Sequence, residues 1–146
     1  MNIRSMTIAD YEKVHALWLA TPGMGLNAID DSREGIARYL ARNPFTCFVA
    51  ESDGGIIGVI LSGHDGRRGM IHHTAVAESA QRQGIGAALL NAAMAALGRE
   101  GITKVMLVVF ADNEKGNAFW EKQGFTARDD LVYRNRAIAE LTKIDT

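Results

Sequence analysis

The stretch around Gly84 and Gly86 constrains the fold most, because the hydrophobic pattern changes there from strand to helix. Met70–Val76 has the length and composition of a strand, and a polar loop follows it. Gly84–Arg99 is rich in alanine and leucine and is periodic like a helix. Ile102–Phe110 is nearly all apolar, which indicates a strand buried on both faces. These elements predict a sheet with a helix packed against it.

The other elements follow from hydrophobic periodicity, capping residues and turn signals. The predicted strands are Asn2–Met6, Phe45–Glu51, Ile56–Ser62, Met70–Val76, Ile102–Phe110, Phe125–Ala127 and Asp130–Arg136. The predicted helices are one capped by Thr7, Ser32–Arg42, Gly84–Arg99 and Asn113–Gln123. This order predicts a single α+β domain over residues 1–146, with a mixed central sheet of about seven strands flanked by about four helices.

Composition narrows the class of protein. The chain has 146 residues, a net charge of −1 and a single cysteine, Cys47. The balanced charge argues against a nucleic-acid partner, and one cysteine permits neither an intrachain disulfide nor a paired-cysteine metal motif. No signal peptide or run of about 20 apolar residues is recognisable, so we expect a cytoplasmic protein without a membrane partner or a metal.

The glycine loop itself predicts an anion site. Backbone N–H groups at a helix start have no partner within the helix, and the helix dipole adds partial positive charge there. The loop therefore suits a phosphate or pyrophosphate, and a side chain at Gly84 or Gly86 would hold that ligand away. Arg82 can add a charge-assisted contact. A glycine-rich helix start without any ligand is the plainer alternative.

A dinucleotide-binding fold is a rival interpretation of the same loop. It requires G-x-G-x-x-G early in a strand-helix-strand unit, with an acidic residue further on. Here Leu89 stands at the third glycine position, and three consecutive predicted strands come before the loop. Asp112 mimics the acidic residue only weakly, so we do not favour this interpretation.

Gln81-Arg82-Gln83-Gly84-Ile85-Gly86 has the pattern Q/R-x-x-G-x-G/A, and Thr74-Ala75-Val76 forms the end of the strand that precedes it. The first pattern matches the signature of the GNAT superfamily of N-acetyltransferases, and the strand end nearly matches the one in that family, so the chain resembles it. Asn113, Phe119, Gly124 and Phe125 fall in register with a downstream family pattern. The turn His64–Gly69 (HDGRRG) is similar to that of the small bacterial YpeA-like type.

The resemblance implies acetyl-CoA as cosubstrate and direct attack of a primary amine on its thioester. The backbone of Thr74 and Val76, next to Ala75, would hold the pantetheine arm. The resemblance implies that the pyrophosphate of the coenzyme is bound by Gln81, Arg82, Gln83, Gly84, Ile85, Gly86 and Ala87. It implies that Asn113, Phe119 and Trp120 contact the coenzyme near the pantetheine arm and the acetyl group. The acetyl group would lie where the Met70–Val76 and Ile102–Phe110 strands separate.

The catalytic residues are less well defined. Some family members carry a catalytic Glu or His at the position of Met70, which cannot take a proton. Alternation along a strand would put Met70, His72, Thr74 and Val76 on one face, so we hypothesise that His72 is the general base. A polar residue that merely lines the cleft is the alternative for His72. His73 is expected on the other face, in a local hydrogen bond.

The sequence also does not single out one residue as the general acid. Many family members have a tyrosine at the position of Trp120, whose indole is a donor only and no useful acid. Trp120 is expected to pack or to form a wall of the thioester site. Tyr133, on the penultimate predicted strand, is a candidate acid, with core packing as the alternative.

The acceptor is expected to be an amine on a small molecule or peptide, and a homodimer is possible. The resemblance places the acceptor pocket near the two early helices, with the loop Thr21–Asp30 as a candidate lid. Met70 and Trp120 favour an alternative function, a CoA-binding sensor or regulatory module that has lost catalysis. A phosphate-binding structural domain that ignores CoA is a third interpretation.

Overall fold

The computed structural model describes residues 1–144 and 146, which form four α-helices and five β-strands. The strands are β1 (Asn2–Ser5), β2 (Phe48–Ser52), β3 (Gly55–His64), β4 (Gly69–Val76) and β5 (Val105–Met106). The helices are α1 (Tyr11–Leu19), α2 (Arg33–Arg42), α3 (Ile85–Arg99) and α4 (Glu114–Lys122). Short 3-10 turns at Ile8–Asp10 and Glu78–Ala80 precede α1 and α3.

The strands form one mixed sheet in the order β1-β2-β3-β4-β5. The first four are antiparallel to their neighbours, and β5 is parallel to β4. Asp53 and Gly54, both with positive φ, form the tight turn between β2 and β3. A parallel pair requires a long crossover, and α3 lies within the one between β4 and β5.

Each face of the sheet has its own buried cluster. Helices α1 and α2 cover one face, where Trp18 and Ile36 pack with Val59 and Leu61 of β3. Helix α3 covers the other, and that cluster consists of Ala50, Ile60, Ile71, Ala80, Ile85, Leu89, Leu90 and Ala93. The mixed α+β sheet with four helices is thereby confirmed.

The last pair of predicted strands is wrong. In the described residues the sheet has five strands, and neither 125–127 nor 130–136 joins it. The predicted strand Ile102–Phe110 shrinks to Val105–Met106, because its second half leaves β4 and pairs with no strand in the described part of the chain. Leu131 and Val132 are 61% and 74% exposed, so the apolar residues that suggested a strand are not buried.

The end of the chain instead contacts the loop between α1 and α2. The backbone N–H of Ala28 donates to the carbonyl of Thr142 at 2.9 Å, and that of Ile144 donates to Leu26 at 2.9 Å. Asn27 and Lys143 form an isolated antiparallel bridge. The C-terminal residues therefore help to hold this loop in place.

A bulge interrupts the regular alternation of β4. Leu61 of β3 pairs with His72 and Val59 pairs with Ala75, so two residues of β4 lie opposite Ile60 alone. Ala75 consequently packs with the α1 and α2 cluster, and Val76 packs against the α3 cluster. The prediction that Val76 shares a face with His72 is wrong for this reason.

Candidate active site

The separation of β4 from β5 opens the main cleft of the molecule. Pairing between them is confined to Gly69 with Val105 and Met70 with Met106. Beyond that point, 71–76 and 107–110 line a cleft of about 2350 Å³. A pocket for one drug-sized ligand measures roughly 300–1000 Å³, so this cleft has room for two reactants.

Most of the predicted site residues meet in this cleft. Those that line it are His72, Thr74, Ala75, Val76, Gln81, Arg82, Gly84, Ile85, Gly86, Ala87, Asn113, Phe119, Trp120 and Tyr133. Gln83 is exposed and does not line the cleft. Residues far apart in sequence thus converge where the resemblance implies a coenzyme.

The start of α3 has the geometry of an anion site. Arg82 and Gly84 have φ values of 64° and 78°, and this left-handed turn leads the chain into the helix. The first hydrogen bond of the helix runs from Ala88 N–H to the Gly84 carbonyl. Among the described residues, none accepts a hydrogen bond from the N–H groups of Arg82 to Ala87. These donors are therefore available to a phosphate.

Gly86 is required by packing as well as by ligand access. A Cβ at this position would lie 3.2 Å from the Phe119 ring and 3.8 Å from Val76 Cγ2. The first contact is tighter than a normal van der Waals approach, so α3 and α4 come this close only with glycine here. A Cβ on Gly84 would meet nothing within 4 Å, and its positive φ explains the glycine there instead.

Two polar groups near the end of β4 bear on how a ligand would be held. The side-chain amide of Gln81 donates to the Val76 carbonyl at 3.2 Å and ties the glycine loop to the strand. The Thr74 hydroxyl is buried and has no hydrogen-bond partner within the described chain. An unsatisfied buried hydroxyl costs on the order of 1–3 kcal/mol, so the Thr74 hydroxyl destabilises the folded chain in the absence of a ligand.

Asn113 is the N-cap of α4. Its Oδ1 accepts a hydrogen bond from Gly116 N–H at 2.9 Å, which satisfies one of the donors at the helix start. The predicted helix Asn113–Gln123 thus begins one residue later, at Glu114. With Oδ1 engaged, the side-chain NH₂ of Asn113 is the group left to face the cleft.

The loop 21–30 crosses from α1 towards the opposite wall of the cleft. A Cβ on Gly23 would lie 3.1 Å from Asn113 Nδ2, and a Cβ on Gly25 would lie 3.1 Å from the Phe110 ring. The loop therefore contacts both the start of α4 and the segment after β5. This position is compatible with the predicted lid.

Trp120 both packs against other aromatic rings and lines the cleft, as the two alternatives predicted for it require. Its ring meets Phe119 at 4.9 Å and Phe125 at 5.3 Å, both edge to face, and it packs against the α3 cluster. It also lines the cleft. Aromatic packing on several sides fixes the indole as a rigid wall.

His72 lies in the cleft in an apolar, aromatic setting. Its ring is 5.9 Å from the Tyr39 ring, edge to face, and 6.1 Å from the His73 ring. Burial lowers the pKa of His72 below its ordinary value of 6.5, and the nearby His73 lowers it further, while Asp31 opposes the shift. His72 is therefore neutral at pH 7, the form that can accept a proton.

The prediction of a local hydrogen bond for His73 on the face opposite His72 is wrong. His73 packs against Trp18 on the α1 and α2 side, where Tyr39 contacts His72, and its hydrogen-bond partner is one that sequence reasoning missed. Its Nε2 lies 2.7 Å from Oδ1 of Asp31, which is only 4% exposed. Asp31 Oδ2 also accepts from the backbone N–H of Asn27 at 2.8 Å. Trp18 Nε1 donates to the His73 carbonyl at 3.0 Å, so the bulge is held from two sides.

We expect Asp31→Ala to lower the free energy of unfolding by about 1–3 kcal/mol, because it leaves partly buried donors of His73 and Asn27 without their acceptor. Urea unfolding monitored by circular dichroism measures this. Asp30→Ala is the matched control, since Asp30 is exposed, and its effect should stay within about 1 kcal/mol. Equal losses in the two variants would contradict the role assigned to Asp31.

Tyr133 lines the cleft but lies outside any strand. It is 66% exposed and belongs to the extended segment that does not join the sheet. Core packing, the alternative considered for it, is therefore wrong. A role as general acid stays a prediction.

Two further observations concern membrane-spanning helices and metal sites. In the described part of the chain, no helix is both long and apolar enough to cross a membrane. Over those same residues, His, Cys, Asp and Glu side chains do not gather in groups of three or more that could hold a metal ion.

Comparison with known proteins identifies the family. Residues 11–125 match the sequence profile described as the acetyltransferase (GNAT) family. An acetyltransferase of Photorhabdus laumondii is 30% identical over 146 residues, covering 96% of this chain and 98% of its own. One from Yersinia enterocolitica is 29% identical over 140 residues, with coverages of 96% and 98%. The chain belongs to the GNAT acetyltransferase family.

Solved structures show the same fold at low identity. An aminoglycoside 6'-N-acetyltransferase of Acinetobacter haemolyticus superposes with a TM-score of 0.73 at 18% identity, over 95% of this chain and 100% of its own. A Clostridium acetobutylicum protein crystallised with acetyl-CoA gives a TM-score of 0.73 at 20% identity, with coverages of 92% and 95%. The architecture is therefore shared by proteins of divergent sequence.

Proposed function

We propose that this protein transfers an acetyl group from acetyl-CoA to a primary amine within a ternary complex. The observation that carries the proposal is the row of backbone N–H groups from Arg82 to Ala87, which have no acceptor among the described residues and lie beside a cleft large enough for two reactants. Bound acetyl-CoA would supply an activated acetyl thioester.

The residues at the start of α3 fit the coenzyme. The N–H groups of Arg82 to Ala87 would hold the pyrophosphate, and the Arg82 guanidinium would add a charge-assisted contact. The β4 backbone at Thr74 and Val76 would align the pantetheine arm where β5 has left the sheet. Trp120 would close the far side and exclude water from the acetyl end.

His72 is the proposed general base. An amine must lose its proton before it can attack, and a neutral imidazole at the split between β4 and β5 can take that proton directly or through one water. The Tyr39 ring packs edge to face with His72 at 5.9 Å, which helps to orient the imidazole. Such positioning of the base beside the bound reactants lowers the entropic part of the barrier.

The departing thiolate needs little help, because a thiolate is only weakly basic and leaves without prior protonation. Trp120 can donate a hydrogen bond but cannot supply a proton. Tyr133, which lines the cleft, is the proposed acid, and a solvent proton can serve in its place.

We expect acetyl-CoA and CoA, but not NAD, to raise the melting temperature. A ligand at 100 times its Kd stabilises the folded state by about 2.7 kcal/mol, which corresponds to a shift on the order of 5–10 °C for a chain of this size. Differential scanning fluorimetry and calorimetry measure the shift and the Kd. An unchanged melting temperature with every CoA species, in protein freed of bound ligand, would refute coenzyme binding.

Thiol release in the presence of an amine panel then tests catalysis. Acetyl-CoA binding with amine-dependent release of free CoA supports the transferase. Tight binding without release from any amine would instead support the sensor module that Met70 and Trp120 favour.

A further inference from the structure

We propose that the acceptor is an amine that also carries an anionic group, a carboxylate or a phosphate, and that Arg38 and Arg42 bind this group. The inference rests on the proposed function, since it concerns the acceptor of that reaction. It deepens the function by specifying which class of amine the cleft admits.

The two arginines are placed on the same face of α2. Residues four apart in a helix are neighbours on its surface, at about 6 Å along the axis. Both Arg38 and Arg42 line the cleft. Tyr39, next to Arg38, packs its ring against His72, so this part of α2 lies beside the proposed base.

Neither guanidinium is neutralised by the protein. Within the described residues, Arg38 and Arg42 take part in no ion pair or side-chain hydrogen bond. The first arginine of the same helix, Arg33, differs in this respect, because it pairs with Glu12. The cleft therefore has two uncompensated positive charges at its α2 side.

Two carboxylates that line the cleft near α2 already have partners, whereas Glu34, one turn before Arg38, is exposed and does not line the cleft. Asp31 binds His73 and the Asn27 backbone, and Asp30 Oδ2 accepts from the Asn27 side chain at 2.9 Å. They are consequently less available to neutralise Arg38 and Arg42 or to attract a cationic acceptor. Among the described α2 residues that line the cleft, the charged ones are Arg38 and Arg42, so α2 offers positive charge to an incoming acceptor.

This arrangement selects one kind of acceptor. A guanidinium presents donors in a planar fork that matches a carboxylate or a phosphate, and two forks one turn apart can share one anion. A polycationic amine would meet two like charges instead. A compound with one amine and one anionic group could reach His72 with its amine while its anion stays on α2.

The test compares matched acceptors at saturating acetyl-CoA. Glycylglycine is paired with glycylglycinamide, and O-phosphoethanolamine with ethanolamine, so that each pair differs in the anionic group. We expect kcat/KM to be at least about tenfold higher for one or both anionic members, since contacts to charged groups are worth at least that factor. The pair with the larger ratio identifies carboxylate or phosphate as the preferred group.

Variants assign the preference to particular residues. The Arg38→Gln/Arg42→Gln double variant should bring the ratio close to one, and Arg33→Gln should leave it unchanged. An active wild-type enzyme with equal kcat/KM for both members of each pair would overturn the proposal. A double variant that retained the wild-type ratio would overturn it as well.

A binding measurement separates this proposal from the proposed function. Calorimetry on CoA-loaded protein, titrated with the same four compounds, reports recognition without turnover. Preferential binding of an anionic member that the double variant loses would uphold the arginine site even if no amine were acetylated. Absence of such binding in protein that acetylates neutral amines would overturn the arginine site alone.

Discussion

Gly86→Glu is expected to weaken acetyl-CoA binding by more than about 100-fold. The Cβ alone would come within 3.2 Å of the Phe119 ring, and the added carboxylate would stand among N–H groups that are oriented towards a phosphate. Like-charge repulsion at close range adds to this steric effect. Isothermal titration calorimetry and the ligand-induced melting shift both measure the loss.

A control in the same helix isolates the site from general destabilisation. Gly98 lies near the other end of α3 and is exposed, and a Cβ there would meet nothing within 4 Å. Gly98→Glu should therefore keep the wild-type Kd. If Gly86→Glu fails to fold, Arg82→Glu tests the same anion site from an exposed position, with about tenfold weaker binding expected. A folded Gly86→Glu protein with a wild-type Kd would contradict the assignment.

The glycine loop could be predicted because its determinants are local. A left-handed residue at Gly84, a missing side chain at Gly86 and unpaired N–H groups at a helix start all depend on a few consecutive residues. The sequence shows them directly. The same holds for Ser32, whose side chain caps α2 by accepting from Gly35 N–H at 3.0 Å.

The geometry around His73 could not be predicted, because distant residues decide it. Asp31 is 42 positions away from His73, and no local signal links them. The bulge in β4 depends on how that strand aligns with β3, and regular alternation is the only assumption that a single strand permits. One extra residue in the bulge is enough to move Val76 to the opposite face.

The strands after β5 were mispredicted for a related reason. Alternating apolar residues show that a segment can form a strand, but a strand exists only where a neighbour satisfies its backbone. Here the segment after Met106 leaves β4, so the sheet ends there. That departure also creates the cleft, so the failed prediction and the site have one structural cause.

His72→Gln is expected to lower kcat by about 10²–10⁴-fold, which is the usual contribution of a general base. Glutamine keeps a planar polar side chain against Tyr39 but cannot accept a proton. The Kd for acetyl-CoA, which contacts other residues in the proposed complex, should change little. Steady-state kinetics with a saturating amine, together with calorimetry, separate the two quantities.

The pH dependence of kcat distinguishes a general base at His72 from a residue that only lines the cleft. Burial lowers the pKa of His72 below 6.5, so the imidazole stays neutral down to that lower value, and kcat should fall only as the pH drops through it. His72→Gln should remove this acidic limb, whereas His64→Ala, which lies outside the cleft, should retain it. Turnover of His72→Gln near the wild-type level at every pH would reduce His72 to a residue that lines the cleft. The base would then be sought in solvent or among the other titratable groups that line the cleft, because Met70 cannot take a proton.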